Sequence, residues 1–136
     1  MQNLVKRKLA TAKTQGNLTL FKYAKNVMYG YKWNEHPELL ECRGHVYDNQ
    51  TGQIVQAAPR KSFNYLENGT WANMPMDTEV SLYKKLNGFM AVATIHNGEL
   101  LVTTTGSFDS EYAKWAKEEI LKQDEIAFST SDYSFL

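Results

Sequence analysis

In the stretch Tyr83-Lys84-Lys85-Leu86-Asn87-Gly88-Phe89-Met90, a lysine closes one apolar run and a glycine three residues later opens the next. A Lys-x-Asn-Gly turn between two strands can present one amine at the floor of a cleft. Once deprotonated, that amine is a covalent nucleophile. A neighbouring cation such as Lys84, or partial burial, would favour that neutral form. Gly88 lets the backbone pass close to a ligand and take a positive φ without strain. The same residues also read as a solvated lysine pair before an ordinary Asn-Gly turn, because motifs this short recur by chance.

Four further stretches accompany it: Leu40-Glu41-Cys42-Arg43-Gly44, Arg60-Lys61-Ser62-Phe63-Asn64, Thr104-Thr105-Gly106-Ser107 and Asp132-Tyr133-Ser134-Phe135-Leu136. With Lys85-Leu86-Asn87-Gly88, in this order and spacing, they resemble the ATP-dependent RNA ligases of T-even-type bacteriophages. Those enzymes belong to the covalent nucleotidyltransferase superfamily, with the DNA ligases and capping enzymes. The resemblance covers most of the chain from about Leu40 onward and, more weakly, its start.

The resemblance implies a three-step reaction. A lysine takes AMP from ATP, AMP passes to an RNA 5′-phosphate, and an RNA 3′-hydroxyl displaces it to seal the strand in RNA repair. Lys85 corresponds to the nucleophile, with Asn87 standing where the family usually carries Asp, followed by Gly88. Arg43 corresponds to an arginine whose planar fork suits the ATP phosphates, or is a surface arginine before a strand. Lys61 would contact phosphate. Phe63 would stack on adenine or belong to the core. Gly106 and Ser107 would shape the ribose end of the cleft, where Thr103 and Thr105 replace the family's basic residues. The final residues look like the first half of a strand that continues in the family with a ribose-contacting Glu. A Glu-Gly metal motif and a Lys-x-Lys motif follow there. The expectation is therefore a partial adenylation domain over residues 1–136, truncated before those motifs as a fragment, split gene product or decayed copy. Alone it would be inactive or weak. ATP and Mg²⁺ are the implied cofactors, with the metal ligands supplied mostly by the absent part. RNA ends, those of tRNA included, are the implied partners, and the cytoplasm of an infected host cell the implied place. An exposed sheet face would favour a partner chain or self-association. The alternative is a catalytically inactive ligase-like module that binds RNA, nucleotide or a host protein.

Composition sets the frame. The 136 residues match one ordinary domain, and 43% apolar content is enough for a core. No apolar run approaches the ~18 residues of a membrane span. Cys42 is the single cysteine, so no internal disulfide can form. His36, His45 and His96 lie far apart and give no zinc spacing. Net charge is zero, yet residues 1–34 hold seven bases and no acid, while the remainder holds eight bases and all fifteen acids. The basic start includes Lys6, Arg7, Lys8 and Lys13, and either holds RNA phosphates or solubilises a helix and hairpin.

The elements needed to position these residues form an α+β pattern of antiparallel hairpins in part of a nucleotidyltransferase-type sheet, with a helix at each end. Gln2–Lys13 reads as a helix burying Val5, Leu9 and Ala12. Leu18–Ala24 and Val27–Trp33 alternate like paired strands, and Glu38–Cys42 like a helical turn. A hairpin follows across Asn49–Gly52, between His45–Asp48 and Gln53–Ala58. Phe63–Gly69 reads as a loop or single helical turn, and Trp71–Met76 as irregular. Strands are expected over Glu79–Lys84 and Phe89–Ile95, flanking Lys85, and the second returns through Asn97-Gly98 to Leu100–Thr105. A helix is expected over about 109–123, capped by Asp109 or Ser107, with Tyr112, Trp115, Ala116, Ile120 and Leu121 as its buried stripe. Ile126–Phe128 could begin another strand.

Overall fold

In the computed structural model, residues 1–30, 33–123 and 134–135 are described. They form two antiparallel sheets with short helices, an α+β architecture. The elements in order are α1 (Gln2–Lys6), β1 (Ala10–Gln15), β2 (Leu18–Tyr23), α2 (Lys25–Gly30), β3 (Arg43–Asp48), β4 (Ile54–Gln56), β5 (Ala91–His96), β6 (Glu99–Thr104), α3 (Glu111–Leu121) and β7 (Ser134–Phe135). The first sheet runs β1-β2-β3-β4 and the second β6-β5-β7.

The N-terminal helix is shorter than its periodicity predicts. It stops at Lys6, Lys8 takes a φ of 57°, and Ala10 begins a strand. The Gly16-Asn17 turn accounts for this, since a tight hairpin there sets Gln15 opposite Leu18 and continues the register to Ala10 opposite Tyr23. Leu4 and Leu9 are buried, whereas Ala12 is exposed. The predicted strand Val27–Trp33 is instead α2 in its described part. With β1 on one side of β2 and β3 on the other, no ladder was left for it. Val27 and Trp33 still serve the core, joining Leu4, Leu9, Phe21, Leu39 and Cys42. The expected turn before β3 is present as a 3₁₀ segment, Pro37–Glu41.

The other face of the first sheet meets the second. Leu20, Val46 and Gln56 are successive cross-strand partners, all buried. Gln56 Nε2 donates to Thr103 Oγ1 on β6. Val92 and Thr103 pair on β5 and β6, both buried, and complete this layer. The alternate residues Ala91, Ala93 and Val102 face α3 and pack with Ile120. The two hairpins are made by their turn residues. Asp48 Oδ1 accepts from the amides of Gln50 and Thr51 at 2.7 and 2.9 Å, which holds its carboxyl below the usual range. Asn97 and Gly98 both take positive φ, as a two-residue hairpin requires.

Four expectations around the lysine and the last long helix fail in whole or in part. No strand spans Glu79–Lys84; from Glu79 to Phe89 every residue is exposed and irregular. The place beside β5 that this strand needed is occupied, because β5 lies between β6 and β7. The second strand starts at Ala91 rather than Phe89. In α3 the buried residues are Ala113 and Ile120, while Tyr112, Trp115 and Leu121 are half or more exposed. Ile120 and Ala116 pack with Ala91, Ala93 and Val102, and this leaves the aromatics at the edge of the contact. The cap is Ser110, whose hydroxyl accepts from Ala113 N at 3.2 Å, and not Asp109 or Ser107. The expectation for Ile126–Phe128 lies outside the described residues. Within the C-terminal stretch, Ser134 and Phe135 pair with β5.

One residue fixes how the sheets meet. Between β2 and β3 the register jumps from Phe21 opposite His45 to Lys22 opposite Arg43, leaving Gly44 as an extra residue. Gly44 has a φ of 106°, and a Cβ there would lie 3.2 Å from Thr104 O and 3.3 Å from Thr105 Cα. Both neighbours are backbone and cannot swing aside. Gly44→Ala is therefore expected to cost about 1–3 kcal/mol through backbone strain and displacement of β6, measured by urea unfolding. An unchanged midpoint and slope would remove Gly44 from the sheet contact.

Candidate functional site

The sequence-predicted residues fall into three groups. In the first, Arg43 opens β3 and its guanidinium donates to Arg60 O at 3.4 Å. Arg60 pairs with Glu41 at 3.4 Å, and Lys61 N donates to Leu40 O at 3.0 Å. Segment 60–63 is thereby tied to the segment entering β3. Lys61 Nζ lies 4.7 Å above the centre of the Phe63 ring, 3.9 Å from Glu67 Oε1, and donates to Ser62 O. Phe63 meets Trp33 edge-on at 5.7 Å and is half-buried against the main core. Of its two readings, core and stacking platform, this packing gives it the first. A ring between Trp33 and an ammonium has little face left for a base.

The second group forms a cleft of about 280 Å³. One wall is the turn Thr104–Ser107. Thr104 N donates to Ser107 O at 2.9 Å, closing it. The Ser107 hydroxyl is buried and engaged. It donates to Asp109 Oδ1 at 2.8 Å and accepts from Asp109 N at 3.3 Å, so it serves the start of α3. That hydroxyl holds the Asp109 carboxyl below the ordinary range. The facing wall is Phe89, Met90 and Tyr112, with the Phe89 and Tyr112 rings 4.8 Å apart and Trp115 stacked edge-on beyond at 5.4 Å. Lys22 reaches in from β2. Its stem crosses Gly106 so closely that a Cβ on that glycine would sit 2.7 Å from Lys22 Cδ.

In the third group, Lys85, Asn87 and Gly88 are exposed, and no side-chain hydrogen bond or ion pair involving them occurs among the described residues. Gly88 has a φ of 151° with open space around it. The amine is not at a cleft floor, as the sequence led us to expect. The chain emerging from Gly88 does run straight into the cleft wall through Phe89 and Met90. The basic start is exposed as well. Lys6, Arg7 and Lys8 cluster where α1 ends, with Arg7 Nη2 3.1 Å from His36 Nε2, while Lys13 stands apart on the edge strand β1.

Sequence reasoning missed Lys22, Phe89 and Tyr112 as site residues. Lys22 is one base among several in a basic start, and only the bulge at Gly44 and the contact between sheets bring it to Gly106. The departures at the two threonines become clear in part. Thr103 is fully buried and bonded to Gln56, so a basic side chain could not stand there. Thr105 lines the cleft. Among the described residues no group of three or more His, Cys, Asp or Glu is placed to hold a metal ion. These residues by themselves do not fit the magnesium that the resemblance implies. No protein-family model matches this chain, and no curated protein matches it.

Two buried groups beside Arg43 behave as structure. Cys42 is fully buried, its Sγ 3.4 Å from Met1 Sδ, and burial pushes its thiol up to about 11. Native protein is expected to resist iodoacetamide at about pH 8 and to react at once in denaturant, followed by intact mass. His45 is also buried, its Nδ1 without a partner among the described residues, and desolvation holds its pKa below the ordinary 6.5. The fold keeps it neutral, and the unfolded chain binds its proton first. Stability is therefore full above about pH 6.5 and declines as pH falls below it. Urea midpoints compared between wild type and His45→Gln should show this slope shrinking in the variant.

Proposed function

We propose that this chain is part of the adenylation domain of an ATP-dependent RNA ligase of the T-even phage type. Its antiparallel sheets would then be a piece of a nucleotidyltransferase fold. Lys85 would attack the α-phosphorus of ATP through its neutral amine, with pyrophosphate leaving and a lysine-AMP phosphoramidate forming. AMP would pass to an RNA 5′-phosphate, and an RNA 3′-hydroxyl would then displace it. Arg43 and Lys61 would steady phosphates, and Phe63 would bear on the nucleotide only through the position of Lys61. The exposed Lys6, Arg7, Lys8 and Lys13 would add phosphate contacts along RNA. The cytoplasm of an infected cell would be the place of action. No helix among the described residues is long and apolar enough to cross a membrane.

The observation that carries this reading is the contact between two motifs distant in sequence, with a third leading into their cleft. Arg43-Gly44 backs onto Thr104-Thr105, and the residues just after Lys85-Leu86-Asn87-Gly88 line the same cleft as Gly106 and Ser107. A second reading, a non-catalytic module that binds RNA, nucleotide or a protein, is favoured by the exposure of Lys85 and by Asn87 in place of an acid. Phosphoryl transfer depends on positioned charge around the phosphates, and each absent electrostatic donor costs about 3 kcal/mol of transition-state stabilisation.

Intact mass after incubation with ATP and magnesium distinguishes the two. The expected result is a slow, AMP-sized gain in wild type that Lys85→Ala abolishes. No gain in either, together with salt-sensitive RNA binding that survives Lys85→Ala, would replace the ligase reading with the binding module. Rapid, complete labelling would show instead that the exposed lysine is already fully activated.

A further inference from the structure

We propose that Lys22 is a phosphate-binding residue of the Gly106 cleft and supplies the positive charge that positions 103 and 105 lack. The inference rests on the nucleotide reading above and adds the residue that anchors the phosphate.

Several independent features converge on Lys22. Its stem lies across Gly106, and its Nζ is 3.3 Å from where a Cβ on that residue would be. The glycine is thus the opening through which this lysine enters the cleft. Any side chain at 106 would displace it. Lys22 is also the direct cross-strand partner of Arg43. Like charges directly opposite one another in a ladder repel, and among the described residues neither forms an ion pair. Arg43 turns to Arg60 O and does not line the cleft, so Lys22 is the cation that enters it. The acceptors and donors nearby suit a phosphoryl group, since Thr105 and Ser110 line the cleft with hydroxyls. The opposite wall suits a flat ring, because Phe89 and Tyr112 offer half-exposed aromatic faces. A cation, hydroxyls and an aromatic wall within about 280 Å³ describe a phosphate joined to a base.

The placement also explains the threonines. Thr103 is committed to the contact between sheets through Gln56, so β6 cannot offer a cation there. The first sheet delivers one instead, from a strand that touches the cleft only because the Gly44 bulge brings the two sheets together. Lysine, a flexible point charge, tolerates this longer approach better than a rigid fork would.

The test is ATP affinity, read by calorimetry, in wild type, Lys22→Met, Thr105→Lys and the double variant. Methionine keeps most of the stem that covers Gly106, and circular dichroism with Tm checks the fold. Lys22→Met is expected to weaken ATP binding about tenfold, or ~1.4 kcal/mol, and to flatten its salt dependence. Thr105→Lys should restore most of the loss in the double variant. Wild-type binding with no change in Lys22→Met would overturn the role of Lys22 while leaving the nucleotide reading intact. Binding of inorganic tripolyphosphate but not ATP, lost in Lys22→Met, would keep the anion site and remove the nucleotide. Binding of neither would remove both.

Discussion

The backbone contact between Gly44 and the Thr104-Thr105 peptide is the constraint on which the rest of the arrangement depends. Two sheets seldom approach within a Cβ's reach of one another's backbone, and here they do so because one strand carries an extra residue without a side chain. The bulge interrupts the ladder at the start of β3, where Arg43 donates to Arg60 O. The Gln56–Thr103 hydrogen bond then locks the sheets in one register. Only the amide nitrogen is satisfied, since Gln56 Oε1 is buried without a partner among the described residues, so this bond specifies the alignment more than it strengthens it.

From that contact follows the distribution of charge. The basic N-terminal quarter would be a solubilising surface if β1 and β2 stood alone. With the second sheet docked, one of its lysines is drawn over Gly106 and faces the start of α3, while the others stay in solvent. Chemistry-bearing residues of this chain therefore divide by layer. Arg43 and Lys61 lie where the 3₁₀ segment meets β3, and the threonine-glycine-serine turn lies where β6 meets α3. Lys85 lies on the exposed strand-less segment between them.

Much of the local structure was legible in the residues. Asp48 with Thr51 and Gly52, and Asn97 with Gly98, are turn chemistry that acts over a few positions, so both hairpins followed from it. The helix near residues 111–121 was legible from its period, but its buried face was not. Periodicity marks an apolar stripe, and the partner decides which part of it is covered; the sheet covers Ile120 and Ala116 and leaves Tyr112 and Trp115 half exposed. Phe63 illustrates the same limit within the candidate site. An aromatic after a lysine fits a stacking platform or a core anchor equally well until Trp33 is known to lie beside it.

By itself, then, the sequence determined the α+β class, the two hairpins and the order of the motifs, because turn residues and side-chain alternation act between near neighbours. Tertiary structure alone decided which strands could pair. It made residues 10–15 a strand and 25–30 a helix, and left residues 79–84 without a ladder, because each strand has only two edges and strands more distant in sequence had filled them. It likewise decided that Lys22 belongs beside Gly106, since that proximity depends on a contact between two sheets that no local pattern encodes.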